Sequence, residues 1–248
     1  MILLITVSFQ ADGQQLNAYL SFENGILQNA DHFNTLPARE TANGGEEYYN
    51  IDFYFPGANI ANTSVNGIGY QFLHIKGFAQ MGQIGAPALP AHNEVIAMPP
   101  GAEGNIVIIN SSYVEYDAYM IHPALEPAWD TDGAPDPEFW IDDEIYNKDE
   151  FFPKSIVEIT NVALLRGIPL AYTQIRPVQF NPVTGKIRVY TQIDFKLEYK
   201  GNKESFTSIA NDNSLHFTNK LKRLVINSDN IPEGITRNTE SKAGEKEY

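Results

Sequence analysis

The sequence predicts an all-β fold, an antiparallel β-sandwich of Greek-key-like connectivity with many short strands and little helix. Short runs of β-branched and aromatic residues recur along the chain and are bounded by Gly, Pro and Asn, which is typical of strands separated by turns. No segment keeps apolar residues at helical spacing for three turns, and no strand–helix–strand spacing indicates a parallel sheet. These patterns indicate an antiparallel sandwich or barrel, and we expect the sandwich.

The strands are predicted in chain order from their composition. Residues 50–55, 70–75 and 106–109 are short apolar or aromatic runs, and residues 112–121 continue the pattern. Because β-branched and aromatic side chains pack well on a pleated surface, each run is expected to form a strand. Residues 93–98 follow a proline-rich stretch and are predicted to form another strand.

A long hairpin over residues 178–199 is the clearest single element. In its turn, Pro182 presets φ and Gly185 can adopt a positive φ. The strand that follows alternates polar and apolar residues, so one of its faces is expected to be buried, with Tyr190 able to sit on either face. The residues predicted on the buried face are Ile187, Val189, Thr191, Ile193, Phe195 and Leu197.

The chain divides into three predicted regions. Residues 1–12 begin with an apolar run, which fits the remnant of a signal-peptide core or a first β-strand. Residues 13–227 are expected to form the folded domain, in which residues 220–226 form a short helix or an edge strand. Residues 228–248 are rich in Asn, Glu, Lys and Gly and are expected to form an exposed linker.

Basic residues in the expected linker are candidate processing sites. A protease requires an extended and exposed backbone, and Arg237, Lys242 and Lys246 lie in this region. They are cleavage sites only for an activating enzyme that prefers basic residues.

Composition excludes several classes of function. The 248 residues include no cysteine, which removes disulfides, thiolate nucleophiles and cysteine-based metal sites. The formal net charge of −14 argues against binding to nucleic acid or to an anionic membrane. The apolar amino-terminal run is too short to span a bilayer, which needs about 20 apolar residues. The acidity fits an extracellular setting or a basic partner, or it simply keeps a secreted protein soluble.

Four motifs occur in a fixed order, and together they are specific. They resemble the propeptide of the gingipains, secreted cysteine peptidases of peptidase family C25 from type IX-secreting bacteria. The resemblance covers about residues 50–199 and extends weakly to about residue 227. The motifs are residues 85–90 with the strand at 93–98, residues 146–153, residues 164–167 and residues 177–191.

The resemblance implies both a role and a partner. It implies a β-sandwich propeptide that packs beside the caspase-like catalytic domain of the same precursor and lays a loop across the active-site cleft. Such a propeptide acts as inhibitor and folding assistant of the zymogen until cleavage removes the tether. The implied location is secreted or on the cell surface, after export through the periplasm. No cofactor is implied.

The acidic segment 125–138 matches the family's inhibitory loop in position. The resemblance implies that arginine-specific members present an arginine there, whereas this sequence has no Arg or Lys between Lys76 and Lys148. We therefore expect a partner peptidase of different specificity, whose pocket is filled by Trp129. The alternative is a solvent loop in which Trp129 covers the core. The predicted inhibitory loop comprises Trp129, Asp130, Thr131, Asp132 and Gly133.

Two further sets of residues are candidate contacts. Asp130, Asp132 and Asp136 could offer oxygen ligands to calcium, but their spacing departs from an EF-hand, so a solvated acidic turn is the alternative. Arg166 and Arg176 flank a predicted strand and are candidate partner contacts. The alternative for both arginines is pairing with carboxylates of this acidic chain.

No catalytic apparatus is recognisable in the sequence. The five histidines are scattered, and they form no H-E-x-x-H motif. His74 and His122 lie in strand patterns and are expected at the edge of the core. The chain is therefore not expected to be an enzyme. The alternative functions are an acidic binding or adhesion module, with Trp129, Trp140 and Tyr146 as a stacking platform, or the amino-terminal domain of a sortase-like gingipain relative.

Overall fold

A computed structural model describes residues 18–29, 38–127 and 137–235. Strands dominate these residues and helices are short, which confirms the predicted all-β fold. The strands are β1 (Ala18–Ser21), β2 (Leu27–Asn29), β3 (Ala38–Gly44), β4 (Tyr48–Tyr54), β5 (Gly57–Val65), β6 (Ile68–His74), β7 (Ala79–Met81), β8 (Leu89–Ala97), β9 (Glu103–Tyr116), β10 (Val157–Leu165), β11 (Ile168–Ile175), β12 (Val178–Asn181) and β13 (Lys186–Lys200). The helices are α1 (Asp143–Tyr146), α2 (Ser208–Asp212) and α3 (Leu215–Leu224), and Ser228–Asn230 form a 3-10 turn.

The strands pair antiparallel and build three sheets over the described residues. The first sheet has the order β2-β1-β5-β6, and the second has the order β10-β11-β8-β7. The third sheet has the order β12-β13-β4-β3, with β9 also paired to β13. Large side chains from all three sheets are fully buried in one core, so the sheets pack on one another. These side chains include Leu20, Phe22, Ile51, Phe55, Ile96, Leu170 and Phe195.

Strand β13 organises the third sheet. Its first residues pair with β12 and its later residues pair with β4, while β9 pairs from Ile187 to Lys200. The predicted hairpin between β12 and β13 is confirmed. In its turn the Asn181 side-chain oxygen accepts hydrogen bonds from the amides of Val183 and Thr184, at 3.1 and 3.2 Å. Gly185 has φ of 65°, the left-handed conformation that glycine adopts without strain.

One residue predicted on the buried face of this hairpin is placed differently. Thr191 is only half-buried, whereas the neighbouring Tyr190 is buried with 6% of its surface exposed. The cause is an irregularity in the pairing with β9. The register passes from Tyr190 to Gln192, so no residue of β9 lies opposite Thr191. Such a bulge interrupts the alternation of side chains across a strand.

The end of the domain also differs from the expectation. Residues 220–226 belong to α3 up to Leu224, so the helical alternative is confirmed over that part. The packed chain then continues to Ile235 instead of ending near Asn227. Ile231 is 2% exposed, and the Gly234 amide donates a 3.0 Å hydrogen bond to Thr218 Oγ1. Burial of this one apolar side chain explains why residues 228–235 lie on the domain rather than in an exposed linker.

Several predictions fall outside the described residues. They concern residues 1–12 and the candidate processing sites Arg237, Lys242 and Lys246. Within the described ranges, no helix has the length and apolar character needed to cross a membrane.

Candidate functional site

The predicted inhibitory loop, Trp129 to Gly133, and the calcium candidate Asp136 lie outside the described residues. The structure does describe the two chain segments that flank residues 128–136. We call residues 121–127 the first stem and residues 137–142 the second stem. Together with residues 85–88, to which both are bound, they form the loop base.

The first stem is bound by backbone hydrogen bonds on two sides. On one side, Gln71 of β6 donates from its amide to Met120 and accepts from the amide of His122, at 2.7 and 3.0 Å. On the other side, the Ala88 amide donates to His122 at 2.9 Å and the Ala124 amide donates to Ala86 at 2.8 Å. The stem therefore behaves as an extra strand between β6 and residues 85–88.

Gly85 connects the two stems. Its amide donates to the carbonyl of Ala124 at 2.8 Å, and its carbonyl accepts from the amide of Asp142 at 2.9 Å. Its φ is +82°, and an added Cβ would lie 2.0 Å from Cζ3 of Trp140. The Trp140 ring thus lies directly on the glycine, so only a residue without a side chain fits here.

The second stem continues into α1, which is fixed to the first stem. Asp142 caps the helix, since its carboxylate accepts a 2.9 Å hydrogen bond from the amide of Glu144. The Tyr146 hydroxyl donates a 2.7 Å hydrogen bond to the carbonyl of Ile121. Burial raises the pKa of Tyr146 well above its usual range. Tyr146 therefore fixes α1 to the first stem. Its ring is not the free stacking face that the binding-module alternative requires.

Aromatic rings fill the space beneath the loop base. His122 packs against Tyr70, Phe72 and Phe139 with ring centres 5.6, 4.5 and 5.4 Å away, respectively. Phe139 also packs on Tyr70, at 5.3 Å. These contacts join β6 to both stems. Beside them lies a cavity of about 290 Å³, lined mainly by apolar side chains.

The surface around the loop base is acidic. Glu126 and Glu138 on the stems and Asp143 and Glu144 on α1 are exposed, and the sequence has no cation between positions 76 and 148. An acidic rim of this kind favours a partner surface that carries positive charge.

Both candidate arginines have partners within the chain, although Arg166 is exposed and Arg176 is half-buried. The Arg166 guanidinium carbon lies 4.6 Å from the centre of the Phe217 ring on α3, within the range of a cation–π interaction. Arg176 forms an ion pair with Glu158 and also donates to the carbonyl of Ser155. Both arginines therefore have partners within the chain, and their contact with another protein stays a prediction.

The histidines do not assemble into a catalytic or metal site in the described part of the chain. Over residues 18–29, 38–127 and 137–235, no group of three His, Asp or Glu side chains is placed to hold a metal ion. His122 is buried, whereas His74 is exposed at the end of β6. The expectation of a core-edge position therefore fits His122 more closely than His74.

The residues that build the loop base were only partly visible in the sequence. Gly85 begins one of the motifs that carried the resemblance, but its two hydrogen bonds to distant stems have no sequence signal. Gln71 and Phe139 were not singled out at all. Their roles depend on contacts between segments that are far apart in the chain, which local patterns do not encode.

Comparison with known proteins places these features in a family. Gingipain R2 of Porphyromonas gingivalis is 28% identical over 112 residues, which cover 44% of this chain and 15% of the relative. Lys-gingipain of the same species is 23% identical over 192 residues, covering 73% of this chain and 11% of the relative. The chain therefore spans only a small part of the curated relatives that it matches.

Two solved structures share the fold. The complex of the Porphyromonas gingivalis RgpB pro- and mature domains matches with a TM-score of 0.64 at 20% identity, covering 79% of this chain and 98% of that chain. A structure describing the zymogenic latency of gingipain K from Porphyromonas gingivalis matches with a TM-score of 0.59 at 19% identity, covering 75% and 100%.

The family assignment rests on a match over most of the chain. The sequence model of the family described as Propeptide_C25 aligns with residues 44–226. This range includes all four motifs and the whole loop base, and it describes a propeptide rather than a catalytic domain. The resemblance to gingipain propeptides is confirmed, and the chain belongs to the Propeptide_C25 family.

Proposed function

We propose that this chain is the propeptide of a secreted, gingipain-type cysteine endopeptidase, which it inhibits and helps to fold until the connection is cleaved. One observation carries the proposal. The chain belongs to a family of propeptides. Within it, the first and the second stem, which flank residues 128–136, are both hydrogen-bonded to one residue, Gly85. The residues on either side of the proposed inhibitory loop are thus held at one fixed base.

A fixed base favours inhibition for an energetic reason. Ordering a free loop on binding costs conformational entropy, and a loop whose two ends are already held loses less. The backbone hydrogen bonds of Ala124 and Asp142 to Gly85 hold the two ends. A covalent tether to the catalytic domain adds a high effective concentration, which is lost when the tether is cut.

The proposed partner is the caspase-like catalytic domain of the same precursor. The related RgpB prodomain occurs in a complex with its mature domain. The acidic surface around the loop base supports a partner with basic groups at the rim of its cleft. The proposed location is outside the cell or on its surface, after export through the periplasm, and neither nucleic acid nor a membrane is a proposed partner.

Within this proposal, Trp129 fills the specificity pocket of the peptidase, and Asp130 and Asp132 face its basic rim. Arg166 and Arg176 are proposed to contact the catalytic domain only at the periphery, because both already interact within the chain. Arg237, Lys242 and Lys246 remain the proposed cleavage sites for an activating enzyme that prefers basic residues.

Inhibition in trans tests the proposal. The purified chain is added to the catalytic domain encoded after Tyr248, and the inhibition constant is measured with a chromogenic peptide. We expect inhibition by the chain, weakened about 10-fold to 100-fold by Trp129→Ala, which corresponds to the loss of a central contact. Val183→Ala, at an exposed turn position, serves as the control and should leave inhibition unchanged.

Two results would overturn the proposal. One is a reading frame after Tyr248 that lacks a caspase-like His and Cys arrangement. The other is the absence of inhibition when the chain is present in micromolar excess over its catalytic domain. Equal inhibition by Trp129→Ala and by the unchanged chain would reject only the role of Trp129.

A further inference from the structure

His122 is the one histidine of the described residues that is buried inside the loop base. It is 6% exposed, and its backbone takes part in the hydrogen bonds to Gln71 and Ala88 that hold the first stem. Its ring contacts both β6 and the second stem, through Tyr70, Phe72 and Phe139. Any change in the charge of this ring therefore acts directly on the joint between the two stems.

The tautomer of His122 follows from its hydrogen bond. Nδ1 lies 2.7 Å from the carbonyl oxygen of Pro123. Since a carbonyl only accepts hydrogen bonds, Nδ1 must carry the proton and Nε2 must be the free base. A second proton consequently enters at Nε2. It would create a cation packed against three aromatic rings. The cation would lie beside the cavity of about 290 Å³, which is open to solvent and apolar apart from Gln80 and His122 itself.

In the described residues, no carboxylate forms an ion pair or a hydrogen bond with the His122 ring, whose one hydrogen bond is to the carbonyl of Pro123. The elements packed around the ring carry His74 on β6, which stacks on Phe72 at 6.0 Å, Tyr70 on β6 and Tyr146 on α1, and none of these is a carboxylate. The residues that line the cavity include no carboxylate. Among the ion pairs of the described residues, none includes His122. The carboxylates of Glu126 and Glu138 on the stems are exposed to solvent.

We propose that His122 is a proton-sensitive latch, which keeps the loop base closed at neutral pH and loosens it when the medium becomes mildly acidic. Weaker inhibition of the peptidase at low pH is the functional consequence, and this consequence rests on the proposed function. The loosening of the loop base itself is a property of this chain alone.

The burial of His122 determines whether a fall in pH loosens or tightens the loop base. Burial lowers the pKa of His122 below its ordinary value of 6.5. The unfolded or opened chain then binds more protons than the closed chain, so closing is fully favoured above pH 6.5 and loses free energy as the pH falls. Each unit of pKa difference corresponds to a factor of about 10 in the opening equilibrium.

Hydrogen exchange on the isolated chain tests the latch. Protection factors of the Ala88 and Ala124 amides, corrected for intrinsic exchange, are compared at pH 7.5 and pH 5.0. We expect protection in the unchanged chain to be lower at pH 5.0 than at pH 7.5, by about 10-fold for each unit by which closing lowers the pKa of His122. His122→Phe keeps an aromatic ring in the cluster but cannot take up a proton, so its protection should be independent of pH. His74→Asn should behave like the unchanged chain.

Three outcomes would overturn the latch. The first is constant protection of both amides in the unchanged chain, and the second is the same pH dependence in His122→Phe. The third, which applies even where that variant does not fold, is a His122 pKa of 6.5 or above when its ring is titrated by NMR in the unchanged chain. Failure of the proposed function would look different, since inhibition would be absent at every pH while the loss of protection persisted.

Discussion

Single residues hold distant segments of this chain together. Gly85 binds both stems of the loop base through its amide and its carbonyl. At the far end of the domain, the fully buried Asn227 side chain pairs with the backbone of Ala97 at the end of β8. Its Oδ1 accepts from the Ala97 amide at 2.9 Å, and its Nδ2 donates to the Ala97 carbonyl at 2.8 Å. Each of these residues satisfies backbone hydrogen-bonding groups of a segment distant in the chain.

Gly85→Ala should displace the Trp140 ring and loosen the loop base. The added methyl group meets Trp140 at 2.0 Å, and the positive φ adds strain. We expect a loss of about 1–3 kcal/mol in the free energy of unfolding, together with a red shift of tryptophan fluorescence in a Trp129→Phe background. Gly167→Ala is the matched control, because Gly167 has φ of +79° but no atom within 4 Å of the added methyl group. Identical losses for the two variants would contradict the contact with Trp140.

Asn227→Ala should destabilise the whole domain. The substitution leaves the Ala97 amide buried without a partner, and the Ala97 carbonyl keeps only the 3.4 Å hydrogen bond from the Tyr199 hydroxyl. An unsatisfied buried group costs about 1–3 kcal/mol. We expect a loss of about 2–4 kcal/mol in the free energy of unfolding, measured by urea denaturation. Asn202→Ala changes an exposed residue and should stay within about 0.5 kcal/mol of the unchanged chain. An equally small effect for Asn227→Ala would show that its hydrogen bonds contribute little.

At the level of elements, the end of the domain is set by packing rather than by composition. Residues 228–235 are polar on average, yet Ile231 is buried and Gly234 is bound to Thr218 on α3. Ile235 also pairs with Ser214, just ahead of the same helix. This short segment therefore stabilises α3 and belongs to the folded unit.

Truncation tests that boundary. A chain that ends at Ile235 should unfold at the same urea concentration as the full chain. A chain that ends at Asn227 loses the burial of Ile231 and should be less stable by about 2 kcal/mol or more. Equal stability of the two shortened chains would place the boundary back at Asn227.

The sequence supported predictions of local features and missed those that depend on pairing. The hairpin of β12 and β13 was predictable, because Pro182 and Gly185 supply the turn chemistry and the alternation is local. Residues 106–109 and 112–121 were predicted as separate runs, yet residues up to Tyr116 form the single strand β9. Two register shifts against β13 break its alternation, and such bulges are visible only once the partner strand is known.

The candidate site shows the same division. The position of the inhibitory loop was inferred from ordered motifs and stays a prediction, because residues 128–136 lie outside the described residues. The absence of cations around it could be counted in the sequence. The partner of Arg166 could not be foreseen, because Phe217 lies on a helix far along the chain. The alternative to a partner contact was pairing with a carboxylate, and the structure supplies an aromatic ring instead.

At the level of the whole molecule, the fold is shared with a protein of low sequence identity. The fold matches the RgpB prodomain over 98% of that chain at only 20% identity, which is possible because cores tolerate many apolar substitutions when volume and pattern are kept. The surface carries a net charge of −14. Specificity for one partner can therefore change through the loop and its acidic rim while the core is preserved.

The most direct test of the account compares the inhibition constants of two chains toward the proposed catalytic domain of the same precursor. One is the unchanged chain, and the other has residues 128–136 replaced by a Gly/Ser segment of equal length. We expect the replacement to weaken inhibition by about 100-fold or more, because the central contacts of the interface are lost, while the urea midpoint stays the same. Equal inhibition by the two chains, or inhibition by neither, would contradict the account.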